Sequence, residues 1–450
     1  MVLNKLAEFL EDNNVFLSGG AGVGKSFLTM ELVKFYRKQG KVVIVLGSTA
    51  ISAFNIGGMT LHSFFAFKRC QNYDELYYED KKQKDKLEKL KRILKQCDLL
   101  IIDEISMVSA SLMEMIYYRI KSDFNGKILL VGDFFQLPPV IPFKKNQIQN
   151  TLFQDTLYAF SSQAWNDLHI VNLKLSITKR TLDMQFYRYL FFLRIGKINQ
   201  EMLSFFKEML ILPKNLLCYM DEYTLLCATN KKANQINEKK LSLLSSEEKI
   251  FNAKYEKLDS TLDDKIYKQW INSLNSLEEL KLKINAKVIF CVNNKEENYY
   301  NGEQGIILDF LLDEDQKYIL IEKNNGEKLK VKPYEYTLEE YELSEDEKIK
   351  VKVKAKFIQF PIKLAYAITI HKSQGMSIDK LICDIDGIFE KGQLYVCLSR
   401  AINPNNLKIV YNCRIPFENY FLMVLKTDED VKRFYLEKEF INLEDDGNEL

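Results

Sequence analysis

Residues 19–26 read GGAGVGKS, directly after the apolar run VFLS and before a helical stretch from Phe27 to Gln39. Glycines at this spacing let backbone N–H groups close around phosphates, and the first turn of the following helix adds partial positive charge. Gly19, Gly20, Ala21, Gly22, Val23 and Gly24 would form the cradle, with Phe27 in the same turn. Lys25 would reach the β- and γ-phosphates and Ser26 would ligate Mg²⁺. A second run, LLIIDE (99–104), ends an apolar stretch in two adjacent carboxylates. Asp103 suits Mg²⁺ and Glu104 suits orientation of the attacking water. A simple strand-end cap is the weaker reading, because ligands of open α/β sheets bind at the carboxyl ends of the strands. A third strand ends in GDFFQLPPV (132–140), where Gln136 is placed to sense the γ-phosphate. Three strand ends converging on one phosphate site predict a nucleoside triphosphatase.

The elements that must hold these residues are legible as well. VFLS (15–18), KVVIVLG (41–47), DLLIIDE (98–104) and KILLVGD (127–133) are short and apolar, and they alternate with helical stretches. That pattern predicts a parallel sheet covered on both faces. Residues 1–175 are therefore expected to be one α/β domain. Within it, 68–96 is dense in Lys, Asp, Glu and Tyr, and 80–95 reads as a solvated helix; a charge run of this kind is more often a wet face than a functional element. A second α/β block is expected over 176–300 and 361–425, including YTLLCATN (223–230), KVIFCV (287–292), LICDI (381–385) and LKIVY (407–411). Between its parts, KYILIE (317–322), the turn NNG, KLKVK (328–332) and KIKVKVKAKFIQF (348–360) alternate strictly between apolar and charged. Period two with an Asn-Gly turn predicts antiparallel hairpins, here a small SH3-like β-barrel insertion over 301–360. The stretch 426–450 reads as an acidic, peripheral C-terminal tail.

Composition excludes several classes. The first fifteen residues carry charges throughout, which rules out a secretory h-region, and no apolar run approaches the roughly 20 residues of a membrane span. The eight cysteines form no CxxC pair, so neither a zinc site nor a disulfide framework is expected. Three histidines leave little room for a histidine-based metal site. A soluble, cytoplasmic protein with no membrane partner is expected. The net charge of +1 neither requires nor excludes a nucleic-acid partner.

Taken together, DEISMVSASLMEMI (103–116), GDFFQLPP (132–139) and STAISAFNIGGMTLHSFF (48–65) resemble the Pif-type DNA helicases (the petite integration frequency family) of the 5′-to-3′ branch of superfamily 1. In the second half KRTLDMQFYRYLFFLRIG (179–196), ATNKKANQIN (228–237), YYNGEQG (299–305), AYAITIHKSQGMSID (365–379) and QLYVCLSRA (393–401) agree, in the family's order. The resemblance implies two RecA-like P-loop NTPase domains with ATP hydrolysed between them. It makes Arg180 and Arg400 the arginines given to the γ-phosphate, which suits a finger that couples chemistry to motion. Gln374 matches the family's glutamine near the ATP site. Strand-binding motifs fall on Thr49, Asn55, Thr60, His62, Ser63 and Phe64, and on Thr229, Asn230, Tyr366, His371, Lys372 and Ser373. A histidine beside a hydroxyl suits a phosphate contact, although either histidine alone is more often a structural residue. Phe64, Phe65 and Tyr366 read equally as stacking platforms and as core aromatics.

Three departures from the family pattern stand out. No glutamine precedes Gln39 to read the adenine, the common APTG is GSTA (47–50), and Thr181 replaces the usual Gln after Arg180. None touches Lys25, Asp103, Glu104 or Arg400. The expectation is an ATP- and Mg²⁺-dependent helicase, monomeric when acting, that moves 5′-to-3′ on single-stranded DNA and opens tailed duplexes. A long alternating β segment just before HKSQG and a short first-domain insertion, 68–96, favour that polarity, with 68–96 as candidate strand-separating element. The rival readings are a DNA-stimulated ATPase that remodels protein–DNA complexes, and a RecD-like motor subunit of a larger assembly.

Overall fold

Apolar runs with no polar face are satisfied only by burial on both sides, and the first half of the chain supplies six short strands that form one sheet. The computed structural model describes residues 1–49, 52–53, 57–68, 70–139, 157–260, 262–274, 276–313 and 316–444. It divides into two units, one of Met1–Lys179, Glu339–Lys352 and Thr427–Leu450, the other of Arg180–Leu338 and Val353–Lys426. Among the described residues no helix is long and apolar enough to cross a membrane.

In the first unit, β1 (Val15–Gly19), β2 (Val43–Gly47), β3 (Met59–Thr60), β4 (Leu99–Asp103), β5 (Lys127–Gly132) and β6 (Val171–Leu175) lie in the order β6-β1-β5-β4-β2-β3. A last short strand, Ile441–Asn442, adds to β6. Every pairing is parallel. Helices α1 (Val2–Asp12) and α2 (Lys25–Lys38) cover one face, where Leu6, Leu10, Leu28 and Leu32 pack on Val15, Leu17, Ile101, Leu129 and Val131. Phe16, on the opposite face of β1, meets Phe134, Trp165 and Phe434 with ring centroids 5.2–6.2 Å apart.

Two expectations for this unit are corrected. The segment 68–96 is not simply a wet charged helix. It forms helices Tyr73–Asp80 and Lys84–Gln96, and Leu76, Leu90, Ile93 and Leu94 are buried. Asp80 receives both terminal nitrogens of Arg119 at 2.6 Å while Arg119 Nε donates to Phe65 O at 3.1 Å. The segment also meets residues 339–352 of the same unit, where Lys86 Nζ pairs with Glu340 Oε1 at 3.2 Å and Gln96 Nε2 donates to the Glu347 backbone O at 2.8 Å. Nor is the stretch after 426 peripheral. Helix Glu429–Glu437 buries Val431 and Phe434, and Leu443 enters the core. Its apolar positions recur at helical spacing inside an acidic composition, and composition alone hides them.

The second unit carries a four-stranded parallel sheet in the order Ala367–Thr369, Thr224–Cys227, Leu381–Asp384, Leu407–Val410. A separate five-stranded sheet runs Lys328–Val331, Gln316–Lys323, Gln304–Asp313, Lys287–Phe290, Ile362–Leu364, with antiparallel pairing throughout. KVIF was expected in the α/β block. It pairs antiparallel instead, because a strand buried on both faces has the same sequence signature in either sheet type. The NNG turn closes the hairpin of Gln316–Lys323 and Lys328–Val331, with Gly326 at φ +83°. The five-stranded sheet therefore draws on Lys287–Phe290 and Ile362–Leu364, outside the expected 301–360, while Tyr334–Leu343 and Ile349–Gln359 lie in a separate three-stranded sheet with Lys254–Lys257.

Arg119 joins three segments through one guanidinium, and its loss strands the Asp80 carboxylate in a mostly buried site. Arg119→Ala should lower the unfolding free energy by about 3–5 kcal/mol in denaturant titration. A change below about 0.5 kcal/mol, the size of an exposed pair, would show that the bridge carries little stability.

Candidate functional site

β1 has neighbours on both sides, so the chain leaving it must turn sharply upward into α2. Gly24 sits at the N-cap of α2 with φ +91° and Gly22 at φ +80°, a left-handed backbone that glycine adopts without strain. Lys25 Nζ donates to Gly19 O at 2.6 Å and Gly20 O at 3.1 Å, so the ammonium lies across the loop. Ser26 is exposed in the first turn of α2, and Phe27 beside it is 70% exposed. Lys179 N donates to Gly22 O at 2.7 Å, fastening the loop to the segment that follows β6.

Because β5 lies between β1 and β4, the carboxyl ends of three adjacent strands meet at one edge. Asp103 at the end of β4 is 5% exposed, and its Oδ1 accepts from Glu104 N at 2.9 Å. Burial, and next the Glu104 carboxylate, push the Asp103 carboxyl up to about 7, opposed by that N–H and by Lys25. Glu104 holds φ +54°, ψ +47°, an unusual conformation for a non-glycine residue and one that clusters at functional sites. Ser48 N donates to Asp103 O at 3.2 Å, tying the GSTA motif to the same edge. Beyond β5, Gln136 is 6% exposed and its Nε2 lies 3.4 Å from Asp133 Oδ2. The first unit thus brings together Lys25, Ser26, Asp103, Glu104 and Gln136. A glycine cradle at a helix N-terminus fits a triphosphate, and a hydroxyl with one buried carboxylate fits a hard divalent cation that keeps phosphate oxygens as further ligands.

Arg180 and Arg400 are gathered in the second unit. Arg180 donates from Nε to Ser377 Oγ at 2.8 Å and from Nη1 to Ser399 O at 2.6 Å. Arg400 is 1% exposed and donates to Val396 O at 2.9 Å, Ser399 Oγ at 3.1 Å and Ser373 O at 3.4 Å. Both guanidiniums therefore bracket Ser399. Burial, and next the charge of Arg400, lower Arg180 to about 9. Gln374 N donates to His371 O at 3.2 Å, closing the short turn His371–Ser373 beside them.

The residues expected to touch a nucleic-acid strand separate into two groups. Thr60 and Thr229 are N-caps, accepting from Ser63 N and Lys232 N at 3.3 Å, and Thr49 exchanges hydrogen bonds with Ser52. His62, Asn230 and Lys372 are exposed, and Ser63 and His371 half-buried, with His371 Nε2 3.0 Å from Glu390 Oε2. Asn55 lies outside the described residues. Three expectations are corrected. Tyr366 is 3% exposed in a core with Leu225, Ala233, Ile382 and Val410, and its hydroxyl accepts from Lys287 N at 3.2 Å. Phe64 is 6% exposed, with ring centroids 4.9 Å from Phe65 and 5.8 Å from Tyr341. Ser373 is fully buried and donates to Ile370 O at 2.7 Å. Apolar neighbours claim both rings, and a turn claims the hydroxyl.

A model of the PIF1-like helicases matches residues 2–202. The ATP-dependent DNA helicase Pif1 of Campylobacter jejuni is 56% identical over 446 residues, which cover 98% of this chain and 99% of that one. The chain belongs to the PIF1-like helicase family. Two solved structures share the architecture over 97% of this chain. Bacteroides sp. Pif1 in complex with ADP-AlF4 matches at a TM-score of 0.80 and 28% identity over 96% of its length. Bacteroides Pif1 bound to ssDNA matches at 0.61 and 27%, also over 96%.

Three residues around this site were not singled out from the sequence. Asp133 is fully buried, and its carboxylate takes Phe135 N at 3.2 Å as well as the Gln136 amide. Ser18, 1% exposed, and Tyr435 share a hydrogen bond of 2.7 Å. The acid in GDFFQ was the available signal for Asp133; the aromatic run FYLEKEF (434–440) was the only one for Tyr435. If Glu104 orients the attacking water, Glu104→Gln should lower ATP turnover by about 10²–10⁴-fold with nucleotide binding retained. Lys25→Ala should weaken binding as well. Near-normal turnover by Glu104→Gln, in steady-state hydrolysis assays with and without single-stranded DNA, would remove Glu104 from that role.

Proposed function

We propose that this PIF1-like helicase hydrolyses ATP at the carboxyl edge of the first unit's sheet and uses the cycle to move 5′-to-3′ along single-stranded DNA, opening duplex ahead of it. The observation that carries the reading is the adjacency of β1, β5 and β4, which assembles Lys25, Asp103, Glu104 and Gln136 at one edge. Lys25 would hold the β- and γ-phosphates, Glu104 would orient water, and Gln136 would sense the γ-phosphate. Ser26 and Asp103 would hold Mg²⁺, which neutralises charge on the phosphates as the bond breaks. The raised affinity of Asp103 for a proton is the signature of a buried carboxylate short of positive charge, and it favours a cation there. Arg180 and Arg400 are assigned the finger role that the family gives their positions, and Gln374 a place near the nucleotide.

The DNA strand would be met by Thr49, Thr60, His62 and Ser63 in the first unit, and by Thr229, Asn230, His371 and Lys372 in the second. Exposed helix-start groups favour phosphate contacts that are independent of sequence. The antiparallel strands between Lys287 and Leu364 are read as an SH3-like barrel placed just before HKSQG, the feature that favours 5′-to-3′ movement. Duplexes with a 5′ single-stranded tail should unwind, and those with a 3′ tail or blunt ends should unwind poorly. Preferential unwinding from a 3′ tail would overturn the polarity.

The strand-separating role falls on helix Tyr73–Asp80. Tyr77 and Tyr78 are 49% and 66% exposed there, while Leu76 and the Asp80–Arg119 bridge anchor its other side. Exposed aromatics on an anchored helix suit stacking on an opened base pair. Replacing Tyr77 and Tyr78 together by Ala should reduce unwinding while leaving DNA-stimulated ATP hydrolysis within about twofold, since one stacked base is worth about 1–3 kcal/mol. Unchanged unwinding would clear this helix of the role.

A further inference from the structure

Helix Glu429–Glu437 places Tyr435 against both β1 and the loop that follows β5. The Tyr435 hydroxyl lies 2.7 Å from Ser18 Oγ and accepts from the Phe134 backbone N–H at 3.3 Å. Ser18 directly precedes Gly19 on β1, and Phe134 directly follows Asp133 in the loop that carries Gln136. Ser18 and Phe134 are each 1% exposed, so neither polar group has water to fall back on. β5 ends at Gly132, and past that point the strand ladder no longer supplies partners for backbone N–H groups. The ring is fixed too. It stacks on Phe135 at 4.8 Å and 20°, and on Phe440 at 5.0 Å and 19°.

The Asp133–Gln136 loop is therefore held from two sides. Asp133 gathers Phe135 N and the Gln136 amide from within, and Tyr435 ties Phe134 to β1 from without. Glu444 adds a second tie from the same C-terminal segment. Its Oε2 accepts from Ser176 N at 2.7 Å and Ile177 N at 2.6 Å, in the stretch whose Lys179 N reaches Gly22 O. A loop that must report on one phosphate oxygen needs its distance from the phosphate cradle fixed to within a fraction of an ångström. A hydroxyl bonded to both the cradle's strand and the sensing loop supplies that constraint.

We propose that Tyr435 is a positioning residue of the ATPase site, its hydroxyl fastening the Gln136 loop to the strand that carries the phosphate cradle. This rests on the reading of Gln136 as γ-phosphate sensor. Tyr435→Phe keeps both ring stacks and removes only the hydroxyl. In the full chain it should lower DNA-stimulated kcat about tenfold with KM for ATP within about twofold, as expected for loss of one buried hydrogen bond felt in the transition state. Ser18→Ala removes the other end of the same bond, so the double variant should be no slower than the slower single one. Gln136→Ala is measured beside them. If Tyr435→Phe turns over like the parent while Gln136→Ala is deficient, Tyr435 loses its role and the reading of Gln136 stands. If both turn over like the parent, the reading of Gln136 falls. A deficient Tyr435→Phe beside a normal Gln136→Ala overturns the link between them. A lowered melting temperature with kcat unchanged reduces Tyr435 to a stabilising residue and also overturns the proposal.

Discussion

A β-carbon at position 19 would lie 2.7 Å from Leu175 O and 2.8 Å from Val23 Cγ2. The rest of the candidate nucleotide site follows from that crowding. β1 is flanked by β5 and β6, so the chain that leaves its carboxyl end has no lateral room and must rise directly into α2. Gly22 and Gly24 take the left-handed backbone that this climb requires, which a residue with a β-carbon rarely adopts. Once β1 is central, its neighbours in the sheet decide which other loops reach the cradle. Those loops are the ones after β5 and β4, which carry Gln136, Asp103 and Glu104.

Charge is held in this framework under tension. Asp103 is buried beside Glu104, and the opposing positive charge that acts on it is Lys25. In the second unit Arg180 and Arg400 crowd round the oxygens of Ser399. One edge thus holds crowded carboxylates and the other unit crowded guanidiniums. Such arrangements cost stability in isolation and cluster at functional sites. The left-handed backbone of Glu104 adds strain at the same edge.

Much of this was legible in the sequence because it is local. The cradle, the DE pair and the GDFFQ loop each occupy fewer than ten consecutive residues whose types fix their geometry. The rest depends on partners far along the chain. Nothing near Tyr366 announces that Lys287 N and Val410 close over it, and nothing near Phe64 announces Tyr341. KVIF carries no face that would distinguish parallel from antiparallel neighbours. Acidic composition concealed the apolar stripe of Glu429–Glu437, so the tie between Tyr435 and Ser18, made across 417 positions, was out of reach.

The strand Ile441–Asn442 pairs with β6, although the whole second unit lies between them in the chain. Synthesis runs from the amino end, so β6 emerges with one edge open and stays open until Ile441–Asn442 has been translated. An uncovered, partly apolar edge is a template for pairing with other chains. Contacts of such long sequence separation also form late. The nascent first unit therefore passes through an extended interval as a sheet with an exposed margin, and its maturation waits on translation of a unit to which that margin does not belong.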